Sequence, residues 1–363
     1  MIKRREFLAK AGTLTAAVGT GSLISAPAVH ARPKKFRFKM VTTWPPKFPV
    51  LQTGAEEFAK KVKIMSGGRL SIHVFAGGEL VPPLGVFDAV SSGSVEMGHG
   101  AAYYWAGKVP EAQFFTSAPF GFTAQQLNAW MYYGGGLDLW REVYAPFNLV
   151  PLPACNTGVQ MGGWFNKKID SLADLKGLKM RIPGLGGKVM SKAGVNVVLL
   201  PGGELYTALE RGVIDALEWV GPYHDLKIGF YRAAKYYYYP GWHEPGSCLE
   251  LVINKKAWEK LPKDLQQIVK SASAEANLMT LAELDAKNGS ALNELVSKYK
   301  VNILKYPDDV LKKLHELSTE TYEELSAGNP KIAKVYANFK KFAAQIEPWT
   351  AMSTAAFIDA KKL

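Results

Sequence analysis

The chain of 363 residues is longer than one hydrophobic core usually organises, and its length therefore predicts two lobes. A hydrophobic fraction of 48% against 21% charged residues excludes a disordered chain. The net charge of +12 is a modest excess, from 44 basic and 32 acidic residues, and does not require a nucleic-acid partner. The aromatic content of 12% can build large cores or a ligand cage, and composition leaves that choice open.

Residues 1–31 have the three parts of an export signal: a basic start, a weakly apolar stretch and small residues before the cleavage position. The adjacent Arg4 and Arg5, followed by a Phe-Leu pair, are typical of the twin-arginine route, which exports folded proteins in bacteria. The apolar stretch is too short and too rich in Gly and Thr for a membrane anchor. We therefore expect a mature chain that begins near Arg32 and resides in the periplasm.

Short β-rich runs alternate with helical patterns at the start of the mature chain, as at 36–42, 48–65 and 70–75. This alternation predicts an α/β protein with mostly parallel sheets flanked by helices. The pattern of 86–96 recurs at 205–215, where a helix ends at Gly and a short strand with an acidic residue follows. The recurrence predicts two similar lobes.

Two extended, apolar segments near 149–165 and 246–254 are expected to cross between the lobes. After the second crossing the pattern is almost wholly helical, with helices expected at 264–287 and 291–300. A helical tail follows these segments. Two lobes do not require it, so it is a candidate dimerisation element. The predicted boundaries are lobe one at 32–157 with 247–287, lobe two at 158–246 with 288–330, and the tail at 331–363.

The two cysteines, Cys155 and Cys248, both stand in strand-like, apolar surroundings. An exported protein enters an oxidising compartment, so a disulfide and a pair of buried free thiols are both open. Neither cysteine has a nearby His or Asp pattern that is typical of a nucleophile.

Ligands of open parallel α/β sheets bind beyond the carboxyl ends of the strands. Tyr103 and Tyr104 follow such a strand in the first half of the chain, and Glu218 and Trp219 follow one in the second half. Arg181 ends a further predicted strand, where a guanidinium is suited to bidentate capture of a carboxylate. The alternative for this arginine is an ion pair with an internal Asp.

Gln160 lies among glycines, which would let a ligand approach the backbone, and Glu244 lies in the turn before the second crossing. Glu218 and Glu244 could be combined with His224 and His243 into a zinc site. No diagnostic spacing supports that combination, and histidines at the surface or behind the ligands are the favoured interpretation.

Residues 181–183, Arg-Ile-Pro, and 205–219, LYTALERGVIDALEW, are the segments by which the mature chain resembles a known family. It is similar to the extracytoplasmic solute-binding proteins of tripartite ATP-independent periplasmic (TRAP) transporters. The resemblance is closest to the branch that binds 2-oxo monocarboxylates such as pyruvate together with a metal cation. It implies the two-lobed periplasmic-binding-protein fold, a homodimer, delivery of the solute to membrane subunits, and no catalytic residues.

The resemblance also implies roles for individual residues, with Arg181 pairing with the ligand carboxylate. The implied substrate-binding residues are Tyr103, Tyr104, Gln160, Arg181 and Trp219. The implied cation ligands are Gln160, Glu218, Glu244 and the Trp219 carbonyl. Oxygen ligands suit a hard cation, and the resemblance favours sodium, with calcium as the alternative.

Two alternative functions stay open. The same fold could bind lactate with calcium, or a dicarboxylate. A periplasmic enzyme that acts on a 2-oxo acid, with Glu218 or Glu244 as the base, is less favoured. The sequence offers that enzyme no nucleophile, cofactor motif or acid/base pair at diagnostic spacing.

Overall fold

The computed structural model describes residues 34–363, and the predicted export signal at 1–31 lies outside the described residues. The strands are β1 Phe36–Thr42, β2 Leu70–Phe75, β3 Met97–Gly100, β4 Leu149–Asn156, β5 Gly163–Phe165, β6 Lys179–Arg181, β7 Asn196–Val198, β8 Ala216–Leu217, β9 Tyr236–Tyr239, β10 Cys248–Asn254 and β11 Asn302–Lys305. The helices are α1 Leu51–Met65, α2 Val86–Ser91, α3 Gln113–Thr116, α4 Ala124–Tyr133, α5 Gly136–Tyr144, α6 Gly184–Lys192, α7 Leu205–Glu210, α8 Pro222–Ile228, α9 Lys255–Lys260, α10 Lys263–Ser297, α11 Asp308–Gly328, α12 Pro330–Thr350 and α13 Ala356–Ala360.

The strands form two separate sheets. Sheet one has the order β2-β1-β3-β10-β4, and sheet two has the order β11-β9-β5-β8-β6-β7. Both sheets contain parallel pairs, such as β1 with β3 and β6 with β8. Every antiparallel pair of the described strands involves β5 or β10, the strands with which the chain enters sheet two and returns to sheet one. The predicted α/β class with parallel-rich sheets is confirmed.

The two predicted crossing segments do join the sheets. β4 ends sheet one at Asn156 and β5 begins in sheet two at Gly163, while β10 follows β9 back to sheet one. Helix α10 provides a further connection, since it leads from sheet one to β11 in sheet two. The two sheets therefore face each other across segments that both lobes share.

The expectation of separate helices at 264–287 and 291–300 is wrong, because α10 runs unbroken for 35 residues. Gly289 lies inside this helix, where a glycine costs about 1 kcal/mol relative to alanine. Leu284 and Leu295, on either side of Gly289, are both buried in one hydrophobic cluster. Packing therefore offsets the low helix propensity of the glycine.

The recurring sequence pattern folds in the same way in both lobes. Helix α2 is followed by Gly93 at a φ of +80° and then by β3, and α7 is followed by Gly212 at +69° and then by β8. A residue with a side chain is strained in this left-handed conformation, which explains why glycine ends both helices. Both repeats thereby deliver their strand ends to the same side of the molecule as the candidate site described below.

Cys155 and Cys248 are buried free thiols. Cys155 lies opposite Leu249 in the β4–β10 pair, so the alternation of side chains along β10 directs Cys248 to the other face of the sheet. The two residues accordingly belong to different hydrophobic clusters. The sheet register therefore excludes the disulfide that the sequence left open.

The helical tail has two environments. Near its start, Trp130 donates its indole N–H to the Asn338 side chain at 2.7 Å, which fixes α12 on the helices of lobe one. Toward its end, large apolar side chains are exposed: Trp349, Met352, Phe357 and Ile358. Across residues 34–363, the helices lack the length or the apolar content that a bilayer crossing would need.

Candidate functional site

The residues predicted to bind the substrate line one cavity, whereas Glu218 and Glu244, predicted as cation ligands, are not among its lining residues and belong to an adjoining buried cluster. Tyr103 and Tyr104 lie on the 3-10 turn Ala102–Trp105 after β3, and Arg181 is the last residue of β6. The structure brings together all the residues expected to contact the substrate: Tyr103, Tyr104, Gln160, Arg181 and Trp219 line the cavity. Its volume is about 10 Å³, which leaves room for about one water molecule in this conformation.

Arg181 is fully buried, and its guanidinium is paired with Glu218. Nη1 donates to the Glu218 carboxylate and, at 3.1 Å, to the Glu218 carbonyl oxygen. Nε donates to the Leu200 carbonyl at 3.2 Å, and Nη2 donates to the Tyr104 hydroxyl at 3.4 Å. Burial is the largest single influence and lowers the pKa of Arg181, but Glu218, Tyr104 and Tyr103 together outweigh burial and leave this pKa raised. Arg181 thus forms an internal ion pair, but its partner is Glu218 and not the Asp that the sequence analysis considered.

The second oxygen of Glu218 lies 3.2 Å from Nε2 of His243. Glu218, His243 and Glu244 are all buried, and they offer possible ligand atoms within 4.8 Å of one another. His224 lies elsewhere, with its Nε2 at 2.9 Å from the Pro49 carbonyl oxygen. The four-residue zinc combination is therefore not assembled, because His224 lies outside the cluster, whereas His243 belongs to it.

Glu244 is tied to the crossing segment between β4 and β5. Gln160 donates from Nε2 to the Glu244 carboxylate at 2.7 Å, and Ser247 donates its hydroxyl to the same oxygen. Burial, followed by the negative charge of Glu218, raises the pKa of Glu244 to about 7. The Oε1 atom of Gln160 is buried and has no hydrogen-bond partner in the described structure.

This donor set fits a hard cation. The unpaired Gln160 Oε1 and the carboxylates of Glu218 and Glu244 are oxygen donors, the type that sodium and calcium prefer in proteins. A cation here would offset the negative charge of two buried carboxylates. Arg181 alone is basic among the cavity-lining residues of the described chain, and its charge balances only one of them.

Trp44 lines the cavity but was not predicted from the sequence. It follows β1, which is parallel to β3, so it reaches the cavity by the same strand-end geometry as Tyr103. Its indole N–H donates to Nδ1 of His99 at 2.8 Å. Burial lowers the pKa of His99 to about 4, although a hydrogen bond with the Ala154 backbone acts in the opposite direction. The ring is therefore neutral at pH 7 and can accept the hydrogen bond from Trp44.

Comparison with known families matches residues 40–329 to a family of bacterial extracellular solute-binding proteins, family 7. The chain belongs to this family. Its members are solute-binding receptors outside the cytoplasm, which confirms the expectation of a transport receptor and not an enzyme. The resemblance on which that expectation depended covers the described chain nearly from end to end.

A curated relative from Nostoc sp. is a monocarboxylate 2-oxoacid-binding periplasmic protein. It is 47% identical over 358 residues, which cover 98% of this chain and 98% of the relative. A solved TRAP solute-binding protein from Pseudoalteromonas atlantica contains sodium and pyruvate; it is 43% identical with a TM-score of 0.88, and the match covers 90% of this chain and 99% of that one. A third, from Colwellia psychrerythraea, contains calcium and pyruvate; it is 44% identical with a TM-score of 0.88, covering 90% and 100%.

Proposed function

We propose that this TRAP receptor binds a 2-oxo monocarboxylate such as pyruvate together with a metal cation. The observation that carries the proposal is one buried guanidinium, Arg181, beside two buried carboxylates: Glu218, with which it is paired, and Glu244, which lies in one cluster with Glu218. A ligand with one carboxylate can use Arg181, and a cation can satisfy the two acids. The Nostoc relative and the two pyruvate complexes support this assignment.

The charges disfavour a dicarboxylate. Because Arg181 is the single basic side chain among the described lining residues, a second ligand carboxylate would face Glu218 and Glu244. Burying an unpaired carboxylate beside two others is costly in a site from which water is excluded. A 2-oxo group instead offers a neutral oxygen that a cation can polarise.

The residues have distinct roles in this proposal. Arg181 pairs with the ligand carboxylate, and Tyr103 and Tyr104 cover the ligand from lobe one and exclude water, which strengthens the ion pair. The cation is held by oxygen atoms of Gln160, Glu218, Glu244 and the Trp219 carbonyl. Its chemical contribution is positive charge next to the ligand oxygens.

We propose sodium as the resident cation, with calcium as the alternative. With two glutamates, one ligand carboxylate and Arg181, sodium leaves one net negative charge and calcium leaves none. The presence of sodium in one solved relative and of calcium in another supports a cation at this site.

Lobe one, at 32–157 with 247–287, and lobe two, at 158–246 with 288–330, are proposed to close over the ligand by a hinge at the crossing segments. Closure would present a liganded surface to the membrane subunits. The exposed apolar end of the tail at 331–363 is proposed to pair two copies into a homodimer. The twin-arginine route is proposed for export.

The ligand class is tested by thermal unfolding of the ligand-stripped protein in sodium chloride. Pyruvate and longer 2-oxo monocarboxylates are expected to raise Tm, because a ligand that binds only the folded state stabilises it. Lactate tests the need for the oxo group, and succinate tests the exclusion of a second carboxylate. A larger rise in Tm with succinate than with pyruvate would contradict the proposal.

A further inference from the structure

We propose that Glu218 competes with the ligand carboxylate for Arg181, and that cation binding releases Arg181 by drawing the Glu218 side chain away. This inference rests on the proposed function and specifies how cation and ligand are coupled in that site. It makes Glu218 the residue on which the cation requirement depends.

All three side-chain nitrogen atoms of Arg181 already donate hydrogen bonds within the protein. Its donors go to the Leu200 carbonyl, the Tyr104 hydroxyl, and both the carbonyl and the carboxylate of Glu218. Arg181 and Glu218 are each about 1% exposed. The carboxylate of Glu218 therefore holds the position in which a ligand carboxylate would receive the Nη1 donor.

The cavity beside Arg181 has no room for a ligand in this conformation. The cavity of about 10 Å³ accepts about one water molecule, which is smaller than any 2-oxo acid. In this conformation no ligand carboxylate fits beside Arg181, and one that takes the Nη1 donor replaces Glu218 there. A hinge motion between the lobes would leave Arg181 and Glu218 together, because β6 and β8 are neighbours in sheet two.

Displacement of Glu218 without a cation is costly. The displaced carboxylate would remain buried, with His243 at 3.2 Å and Glu244 in the same cluster. Glu244 is itself held by Gln160 and Ser247 and offers Glu218 no donor. Two carboxylates and a ligand carboxylate would then share one guanidinium, which is unfavourable in a buried site.

A cation removes this cost with a local movement. Glu218 already lies within 4.8 Å of Glu244 in the ligand cluster, and its backbone is fixed by the hydrogen bond from its N–H to the Arg181 carbonyl at 3.2 Å. Rotation of the side chain is enough to exchange Arg181 for a cation. Cation and ligand binding are therefore positively coupled, and by linkage the coupling is reciprocal.

The experiment compares two variants that remove the same charge from the cluster. Glu218→Gln weakens the competitor at Arg181, because a neutral amide accepts a weaker hydrogen bond than a carboxylate. Glu244→Gln removes a negative charge but leaves the Arg181–Glu218 pair in place. Pyruvate is titrated calorimetrically into each protein in choline chloride with a chelator, and again in sodium chloride. A second readout is the Tm of each ligand-free protein.

In the wild type, sodium is expected to raise pyruvate affinity by at least about tenfold. In choline, Glu218→Gln is expected to bind pyruvate at least about tenfold more tightly than the wild type, and its sodium effect falls below about threefold. Glu244→Gln is expected to gain less in choline, because it reduces the repulsion on a displaced Glu218 but leaves the competitor at Arg181. The ligand-free Tm falls more for Glu218→Gln, because Arg181 loses its ionic partner.

An unchanged affinity of Glu218→Gln in choline, or an equal gain in Glu244→Gln, would overturn the competition while leaving the proposed function intact. A wild type that binds no 2-oxo acid in either salt would overturn both. If Glu218→Gln does not fold, Glu218→Asp takes its place. It keeps the charge but withdraws it from Arg181 by one methylene, so its affinity in choline is expected to rise in the same direction.

Discussion

Glu250 accepts a hydrogen bond of 2.8 Å from the hydroxyl of Tyr144 inside the core of lobe one. The indole N–H of Trp105 donates to its other carboxylate oxygen. Burial raises the pKa of Glu250 from 4.5 to about 7, although these two donors act in the opposite direction. A carboxyl group that is hard to ionise in the folded state links stability to pH.

This linkage predicts that stability falls as pH rises. The folded protein holds the Glu250 proton up to about pH 7, whereas the unfolded chain loses it near 4.5, so the contribution is complete below 4.5 and is lost by about 7. The loss is on the order of 3 kcal/mol. Urea unfolding at pH 5 and pH 8 measures it. Glu250→Gln should reduce the fall in the free energy of unfolding between these two pH values. Asp225 and Glu244, whose pKa values are also raised, account for the fall that remains in this variant.

Arg181→Ala is expected to weaken pyruvate binding by about 2 to 5 kcal/mol, roughly 30-fold to several thousand-fold, because the ligand carboxylate loses its buried partner. Arg181→Lys keeps the charge without the two-pronged donor geometry, so its loss should be intermediate. Affinity is measured by calorimetry, with circular dichroism to verify folding. Wild-type affinity in the alanine variant would refute the role of Arg181.

His99→Ala should weaken pyruvate binding through Trp44, whose buried indole N–H would lose its acceptor at a cost of about 1 to 3 kcal/mol. His99→Gln is the matched control, because a side-chain carbonyl can accept the same hydrogen bond. The readouts are Tm and calorimetric affinity. Equal affinity losses in both variants would show that the hydrogen bond to Trp44 is irrelevant to the ligand.

The two cysteines should be inert toward a thiol reagent in the folded protein. Burial raises the pKa of Cys155 to about 12, and Cys248 is equally buried, so neither forms a thiolate near pH 7. Ellman's reagent should react with no thiol before unfolding and with both afterwards. Absence of reaction after unfolding without reductant would indicate a disulfide and contradict the sheet register.

Met352→Glu should dissociate the proposed homodimer, because it places a charge in the exposed apolar end of the tail, where Met352 is 73% exposed. Stability of the monomer should change little, since this side chain makes no core contact. Sedimentation velocity distinguishes the two species. Lys341→Glu, a charge change at an exposed tail position that is already polar and lies before the apolar end, is the control. A wild type that sediments as a monomer would refute the dimer.

The site could be predicted from the sequence because ligands of parallel α/β sheets bind beyond the carboxyl ends of the strands. Applying this rule requires only the positions of the strands along the chain. Tyr103 and Trp219 each follow a strand after a helix that ends at glycine, and both line the cavity. Trp44 obeys the same rule after β1 and could have been found by applying it to every strand. Because the rule concerns the backbone, it can be applied without knowledge of the side-chain packing.

The pairing of Arg181 with Glu218 could not be read from the sequence. It depends on the parallel register of β6 and β8, in which Arg181 lies opposite Leu217, and on the side-chain conformations of two residues that are 37 positions apart. The local sequence pattern could not predict that the helix continues through Gly289 either, because tertiary packing overrides the low helix propensity of a single glycine.

The most direct test of the account is calorimetric titration of pyruvate into protein that has been stripped of ligand by unfolding and refolding. It is performed in sodium, calcium and choline chloride. The account predicts one-to-one binding in the presence of sodium, with calcium as the alternative ion, and at least about tenfold weaker binding in choline. Cation-independent binding of succinate, or no binding of any 2-oxo acid, would contradict it.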